Sequence, residues 1–313
     1  SSLMDKYGDR ISSLKRMYPD DVISINITIG YWDSEYGDQD YRFAMRRSER
    51  AEGNAADNNP IIRDWSDLPG FLNEFPRMDK DEPFNRIRKL RRENPDAYIL
   101  VGFGHYFFQR LASLRGAQNF LMDFYDYPDK LEVVLEKLFE LYDAWAHLAA
   151  EAGADGITGS DDLGTQRGLF VSPELLRKFI FPYYKKLSEV FIREGLDFWL
   201  HTCGNVTSIM EDIIESGVRV LHPLQAGTMD DDYISREYAG RICFNVGMDV
   251  QGLIPNGTPD EVTEGVRKRA KVYYNDFGGV VYSAGNVILT GTPIENIEAY
   301  AESLHEFCQS KVR

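Results

Sequence analysis

The sequence has few cysteines, no long apolar run and no excess of positive charge, and each absence excludes a class of protein. Its cysteines, Cys203, Cys243 and Cys308, are odd in number and far apart in a chain of 313 residues, which argues against a disulfide framework and predicts a reducing, cytoplasmic setting. No apolar run approaches the ~20 residues that cross a bilayer, and no signal-like segment precedes the first helix. The formal net charge of −15 disfavours nucleic acid and membranes as partners.

No G-x-G-x-x-G motif follows a predicted strand, which disfavours an open dinucleotide-binding sheet. Short β-type runs instead alternate with long helical stretches from about residue 95, the pattern of βα units with a parallel sheet. The predicted strands are 22–29, 98–103, 156–160, 197–202, 218–222, 241–246 and 280–283. Seven such strands favour a (β/α)8 TIM barrel. We expect one barrel domain, with residues 1–95 as an N-terminal cap carrying the first strand or strands and 96–313 as the main body. The eighth strand is expected within 31–95 or before residue 1.

The motif His201-x-Cys203 ends an apolar run that reads as a buried strand. Residues two apart in a strand face the same side, so the imidazole and the thiol should project together. Imidazole and thiolate are ligands that zinc prefers. The motif therefore predicts a metal site, and the alternative is a hydrogen-bonded histidine beside a cysteine that only fills space.

Polar side chains follow the other predicted strands, and in a barrel these strand ends meet at one rim. The candidate catalytic residues on this ground are Asp161, Asp162 and Asp249. The candidate substrate-binding residues are His105, Tyr106, Phe107, Gln225, Met248 and Asn286. His222 also ends a strand, without an assigned role. For Asp161 or Asp162 taken singly, helix capping is an alternative.

Cys243 lies early in its strand, about 15 Å below Cys203 at ~3.3 Å per residue. Zinc ligands lie within roughly 4 Å of one another, so Cys243 is expected in the core and not at the metal.

The order of several motifs resembles the uroporphyrinogen decarboxylase superfamily, which includes the decarboxylase and corrinoid-dependent methyltransferases. The carrying segments are Asp161-Asp162-Leu163-Gly164-Thr165-Gln166, Leu200-His201-Thr202-Cys203-Gly204, His222-Pro223-Leu224-Gln225, Gly247-Met248-Asp249-Val250-Gln251 and Thr292-Pro293-Ile294-Glu295-Asn296. The resemblance covers about residues 98 to 300. It implies a TIM barrel and adds Gln166 to the candidate catalytic residues.

Within that superfamily the sequence is similar to the methyltransferase branch. The decarboxylase carries an arginine-rich motif near its N-terminus, which Arg42, Arg46, Arg47 and Arg50 do not reproduce. The methyltransferases hold zinc by His-x-Cys and a distant cysteine. Here His201 and Cys203 match the first two ligands, and Asn286 stands in the place of the third. The resemblance leaves Asp162, Asp249 or a capping glutamate to complete the zinc site.

The Asp-Asp-x-Gly-x-Gln motif resembles that of a subgroup of methyltransferases. These transfer a methyl group to a corrinoid protein from a small O-methylated molecule, which is aromatic in some cases. The implied cofactors are zinc and a corrinoid carried by a partner protein. One alternative is a methyl-corrinoid:thiol methyltransferase acting on a coenzyme M-like acceptor. The other is a decarboxylase or a non-catalytic small-molecule binder, and a homodimer is left open.

Overall fold

A single parallel sheet organises the protein. The computed structural model describes residues 2–27, 60–75 and 82–311. Its strands are β1 (Val22–Asn26), β2 (Tyr98–His105), β3 (Gly156–Ser160), β4 (Asp197–His201), β5 (Val220–Leu224), β6 (Cys243–Gly247) and β7 (Val280–Ser283). Each strand pairs in parallel with the next, in the order β1 to β7. Side chains from all seven strands line one cavity, so the sheet curls around it. The predicted α/β, TIM-barrel-like fold is confirmed, with the eighth strand not among the described residues.

Helices cover the outer face of the sheet. They are α1 (Leu3–Met17), α2 (Leu68–Asn73), α3 (Glu82–Glu93), α4 (Phe108–Arg115), α5 (Ala117–Asp126), α6 (Pro128–Glu151), α7 (Pro173–Phe179), α8 (Phe181–Glu194), α9 (Met210–Glu215), α10 (Asp231–Tyr238), α11 (Leu253–Asn256), α12 (Pro259–Tyr273) and α13 (Ile294–Lys311). Parallel neighbours need such crossovers, since a tight turn joins only antiparallel strands. None of the described helices is long and apolar enough to span a membrane.

The hydrophobic core lies between the sheet and these helices and is rich in aromatic rings. Phe103 of β2 packs edge-on against Trp145 of α6, and Phe198 of β4 packs edge-on against Phe191 of α8. All four rings are buried. Burial of each phenylalanine contributes about 1.5–3 kcal/mol, so this layer holds the strands firmly and fixes where each one ends.

The inner face of the sheet is apolar at its amino end and polar towards the carboxyl end. Leu100, Trp199 and Val220 form a small buried cluster with Cys243 at its edge. A cavity of about 400 Å³ extends along the inner face to His201 and His222. The small polar side chains that line it are Ser24, Asn26, Thr158, Ser160, Asn245 and Ser283. The barrel interior therefore offers hydrogen-bonding groups between apolar walls such as Leu100 and Trp199.

The structure adds helices that the predicted strands do not show. The helical pattern of 173–194 contains Pro182, which predicts a kink or a split, and the structure shows the split into α7 and α8, because Pro182 has no N–H to continue α7. Segment 31–95, one expected place of the eighth strand, contains α2 and α3 in its described part, and α10 lies between β5 and β6. Arg42, Arg46, Arg47 and Arg50 lie outside the described residues.

Candidate metal and substrate site

His201 and Cys203 meet at the carboxyl end of β4. His201 is the last residue of the strand, and Cys203 follows two positions later. The Nε2 atom of His201 lies 3.4 Å from the Sγ atom of Cys203. The extended backbone through Thr202 puts both side chains on the same side, as the His-x-Cys spacing predicts. Both are half-buried, so they lie at the rim and not in a sealed interior.

Asp162 brings a third donor atom to this pair. Its Oδ1 atom lies 3.8 Å from Nε2 of His201 and accepts a 2.8 Å hydrogen bond from the backbone N–H of Cys203. One donor atom from each of the three residues lies within 4.8 Å of the others. Such separations suit nitrogen, sulfur and oxygen ligands about 2.0–2.3 Å from one zinc ion. The donor set therefore fits the metal that the motif predicts.

Gln109, in the first turn of α4, holds the Asp162 carboxylate in place. Its Nε2 donates a 2.8 Å hydrogen bond to Oδ2 of Asp162, and its Oε1 accepts from the hydroxyl of Ser160 at 2.5 Å. The Nδ1 atom of His105 lies 3.1 Å from the same Oε1 atom of Gln109. Sequence reasoning missed Gln109, because its distance in the chain from Asp162 gave no signal of contact.

His201 is also paired with His222, its register partner on β5. The two Nδ1 atoms are 2.8 Å apart. Burial lowers the pKa of His201, opposed by Asp162, and burial together with His201 lowers the pKa of His222 to about 3. Both imidazoles are therefore neutral at neutral pH, and a neutral ring is the form that binds a metal.

The cysteine thiol needs a positive charge to ionise here. Burial and the nearby Asp162 carboxylate together raise the pKa of Cys203 to about 12, against the opposing effect of Nδ2 of Asn286, which lies 3.6 Å from Sγ. A bound cation reverses this balance, since a thiol that coordinates a metal is deprotonated outright. A metal bound by Cys203 would therefore displace the proton of the thiol.

Asp161 does not reach this site, although it neighbours Asp162. Its carboxylate is buried on the helix side of the sheet, where it accepts hydrogen bonds from the backbone N–H of Phe107 and Gln109 and from the hydroxyl of Tyr184. Burial raises its pKa to about 6 against these bonds, which lower it. We therefore correct the catalytic expectation: the structure gives Asp161 the capping role that was its alternative.

Replacing Asp161 with asparagine is expected to lower the free energy of unfolding by about 1–3 kcal/mol. Either orientation of the new amide turns an NH2 group towards a backbone N–H of Phe107 or Gln109, which then loses its acceptor. Urea denaturation measures the difference. Asp249→Asn is the control, since it removes a carboxylate that caps a short helix near the surface. A loss no larger than that of the control would contradict the proposed anchoring role.

Tyr106 and Phe107 are also core residues, so they are no longer candidates for substrate binding. The hydroxyl of Tyr106 donates to the backbone oxygens of Ile157 and Trp199, and its ring packs edge-on against Phe198. Phe107 packs against Tyr142 of α6. The bend after β2 turns both rings outwards into the helix layer, so neither lines the cavity.

The remaining candidates divide between the rim and positions away from it. Gln225 accepts a 3.3 Å hydrogen bond from the backbone N–H of Gly204, and Asn286 lies beside Cys203. Asp249 caps α11 through the backbone N–H groups of Gly252 and Leu253, and Met248 is buried. Gln166 is exposed. Gln225 and Asn286 thus lie beside the metal-site residues, and Met248 and Asp249 line a small adjoining cavity with them.

The chain is similar to methyltransferases and to uroporphyrinogen decarboxylases. The chain is 28% identical over 162 residues to the methylcobamide:CoM methyltransferase MtbA of Methanosarcina acetivorans. It is 24% identical over 179 residues to a methylated-thiol–coenzyme M methyltransferase of Methanosarcina mazei. These matches cover 51% and 57% of this chain but only 44% and 45% of the relatives. A uroporphyrinogen decarboxylase of Syntrophotalea carbinolica is 24% identical, with 80% of this chain and 72% of the relative covered.

A solved structure shows the same fold. It is a methyltransferase from Methanosarcina mazei, with a TM-score of 0.59, 21% identity and coverage of 77% of this chain and 65% of that one. The family model described as uroporphyrinogen decarboxylase (URO-D) matches residues 59–307. That match spans most of the chain and includes every donor of the site. The chain belongs to the uroporphyrinogen decarboxylase family.

Proposed function

We propose that this protein transfers a methyl group between a corrinoid protein and a small thiol, at a zinc site built from His201, Cys203 and Asp162. The observation that carries the proposal is the cluster of three donor atoms at one rim of the cavity. The names of the two methyltransferase relatives, which act with coenzyme M, favour the thiol acceptor over the O-methylated donor.

Zinc, when bound, supplies a positive charge that lowers the pKa of an incoming thiol and keeps it as the nucleophilic thiolate. The protein's own side chains hold the donors and admit the acceptor. Gln109 and the backbone N–H of Cys203 fix the carboxylate of Asp162, and His222 fixes the ring of His201.

The transfer itself is a displacement at the methyl carbon. The acceptor sulfur forms the new S–C bond, and the bond between the methyl group and the corrinoid cobalt breaks with both electrons staying on the cobalt. The acceptor's proton leaves before the attack, because the thiolate and not the thiol is the nucleophile. The chain's contribution is to hold the sulfur at the open rim, where a partner protein can present its methyl group.

A second candidate function is methyl transfer to the corrinoid instead of from it, with a methyl ether as the methyl donor. The composition of the donor set favours it, since Asp162 supplies a carboxylate, and by the family resemblance Asn286, which lies beside Cys203, stands where a second thiolate is expected. An oxygen ligand donates less electron density to the metal than a sulfur ligand does. The metal therefore polarises the leaving oxygen of the ether more strongly. A decarboxylase is less well supported, because the described residues that line the cavity include no arginine or lysine to pair with a polycarboxylate.

An anaerobic assay separates these candidates. The zinc-loaded protein is mixed with methylcob(III)alamin and coenzyme M, or with cob(I)alamin and methoxylated benzoates, and the cobalamin absorbance is followed. We expect demethylation of methylcob(III)alamin in the thiol arm, and its loss in Cys203→Ala. Turnover only in the ether arm would transfer the assignment to the second candidate, and turnover in neither arm would contradict both.

A further inference from the structure

The contact between His201 and His222 restricts where each ring carries its proton. Their Nδ1 atoms are 2.8 Å apart, which is a hydrogen-bond distance. A neutral imidazole has one N–H and one lone pair, so exactly one of these two nitrogens donates. The pair has therefore two arrangements, and they differ in which nitrogen of each ring is protonated.

Metal binding selects one of the two arrangements. The Nε2 atom of His201 faces Cys203 and Asp162, at 3.4 and 3.8 Å. To act as a ligand this nitrogen must offer its lone pair, which places the His201 proton on Nδ1. Nδ1 of His222 must then accept that hydrogen bond, and the His222 proton must be on Nε2.

The cavity gives this Nε2–H a place to act. His222 is among the side chains that line the cavity, together with the hydroxyl and amide groups of Ser160, Asn245 and Ser283. Within residues 2–27, 60–75 and 82–311, no group accepts a hydrogen bond from Nε2 of His222. A donor at the cavity wall from which no described residue accepts is available to a bound molecule.

We propose that His222 is a positioning and specificity-determining residue with two linked roles. It accepts from Nδ1 of His201, which fixes His201 in the form that ligates the metal, and it thereby directs its own Nε2–H to the substrate. The substrate class is a small polar molecule with a hydrogen-bond acceptor, oxygen or nitrogen, near its reacting atom. The proposal rests on the zinc site of the proposed function and adds an element that the His-x-Cys motif does not contain.

Two variants at one position separate the two roles. In His222→Asn, the side-chain oxygen stands near the position of Nδ1 and still accepts from His201, but nothing replaces Nε2–H. In His222→Leu both groups are lost. His147→Asn is the matched control, since His147 lies on the surface of α6 and pairs with Glu151 and Glu194.

Zinc affinity, measured by competition with a chelator, tests the first role. We expect His222→Leu to bind zinc about 10–100-fold more weakly, the usual effect of losing an outer hydrogen-bond partner. His222→Asn and His147→Asn should stay within about threefold of the unaltered protein. Equal affinity in His222→Leu would overturn the positioning role.

Two further readouts keep the proposal falsifiable if His222→Leu fails to fold. Long-range ¹H–¹⁵N spectra of the unaltered protein with zinc should show His201 protonated at Nδ1 and His222 at Nε2, and the opposite assignment would overturn the proposal. In the methyl-transfer assay, His222→Asn should raise the KM for the small molecule about tenfold or more at equal zinc content, and an unchanged KM would overturn the substrate role.

The proposed function can fail separately. A protein that binds zinc with these tautomers but transfers no methyl group contradicts the function and leaves the His222 assignment standing. A protein that binds no zinc contradicts both.

Discussion

Replacing Cys203 with alanine is expected to weaken zinc binding by about 10³-fold. Zinc sites with four ligands bind with roughly 10–16 kcal/mol, so each ligand contributes about 4 kcal/mol at most, and a thiolate is among the strongest. The loss also removes the atom that lies 3.4 Å from His201 and 3.6 Å from Asn286. Competition with a chromophoric chelator measures the affinity, and the cobalt(II) form should lose its thiolate charge-transfer band.

Cys243→Ala is the matched control for this experiment. Cys243 is also half-buried, but it begins strand β6 at the amino end of the sheet, where it packs beside Leu100 and Trp199. Its replacement should cost some stability and leave zinc affinity and the cobalt(II) band unchanged. Equal zinc loss in both variants would mean that the metal is held elsewhere, or that the effect comes through the fold.

Asp162→Asn is expected to lower zinc affinity by about 10²-fold, the second largest effect. The substitution removes a charged oxygen ligand, and it also disturbs the support of the site. If the new amide oxygen keeps the bond from the N–H of Cys203, its NH2 group faces the NH2 group of Gln109, which now donates to the carboxylate. Zinc titration measures the affinity, and losing one ligand of four is the physical reason for the size of the change.

Asp249→Asn serves as the comparison for Asp162→Asn. Both residues follow a strand end, and both carboxylates accept hydrogen bonds from the backbone, but the bonds of Asp249 cap α11. The sequence resemblance left both as ligands that could complete the site. Zinc loss in Asp249→Asn with none in Asp162→Asn would reverse the assignment that the distances support.

The fold was predictable from the sequence because the strand-then-helix pattern of a parallel barrel recurs along the chain. Apolar strands alternate with amphipathic helices, so an error in one element does not change the class. The boundaries were less predictable. Strand β5 ends at Leu224, two residues beyond the predicted end, whereas the break within 173–194 is indicated in the sequence by Pro182. The charged helix α3 was missed although Phe84, Ile87 and Leu90 recur at helical spacing.

The site was predictable where its residues are close in the chain and less so where they meet only in space. His201 and Cys203 share a face because of strand geometry, which a sequence shows directly. Gln109 bonds Asp162 across 53 positions, and nothing in either local sequence indicates that contact. The aromatic pair after β2 was misassigned because a strand end predicts proximity to the rim but not the direction in which the chain then turns.

The adjacent carboxylates after β3 make this segment intolerant of any change in its length. Asp161 points to the helix layer and Asp162 to the opening, because successive side chains of an extended chain alternate between the two faces. Deleting or inserting one residue between Gly156 and Ser160 would exchange them. Asp162 would then be buried beside Tyr184 and the backbone N–H groups at the start of α4. Asp161, which now accepts hydrogen bonds from those groups, would be exposed to solvent. An engineer can therefore vary the exposed residues Gln166 and Arg167 of the following loop more readily than the number of residues before Asp162.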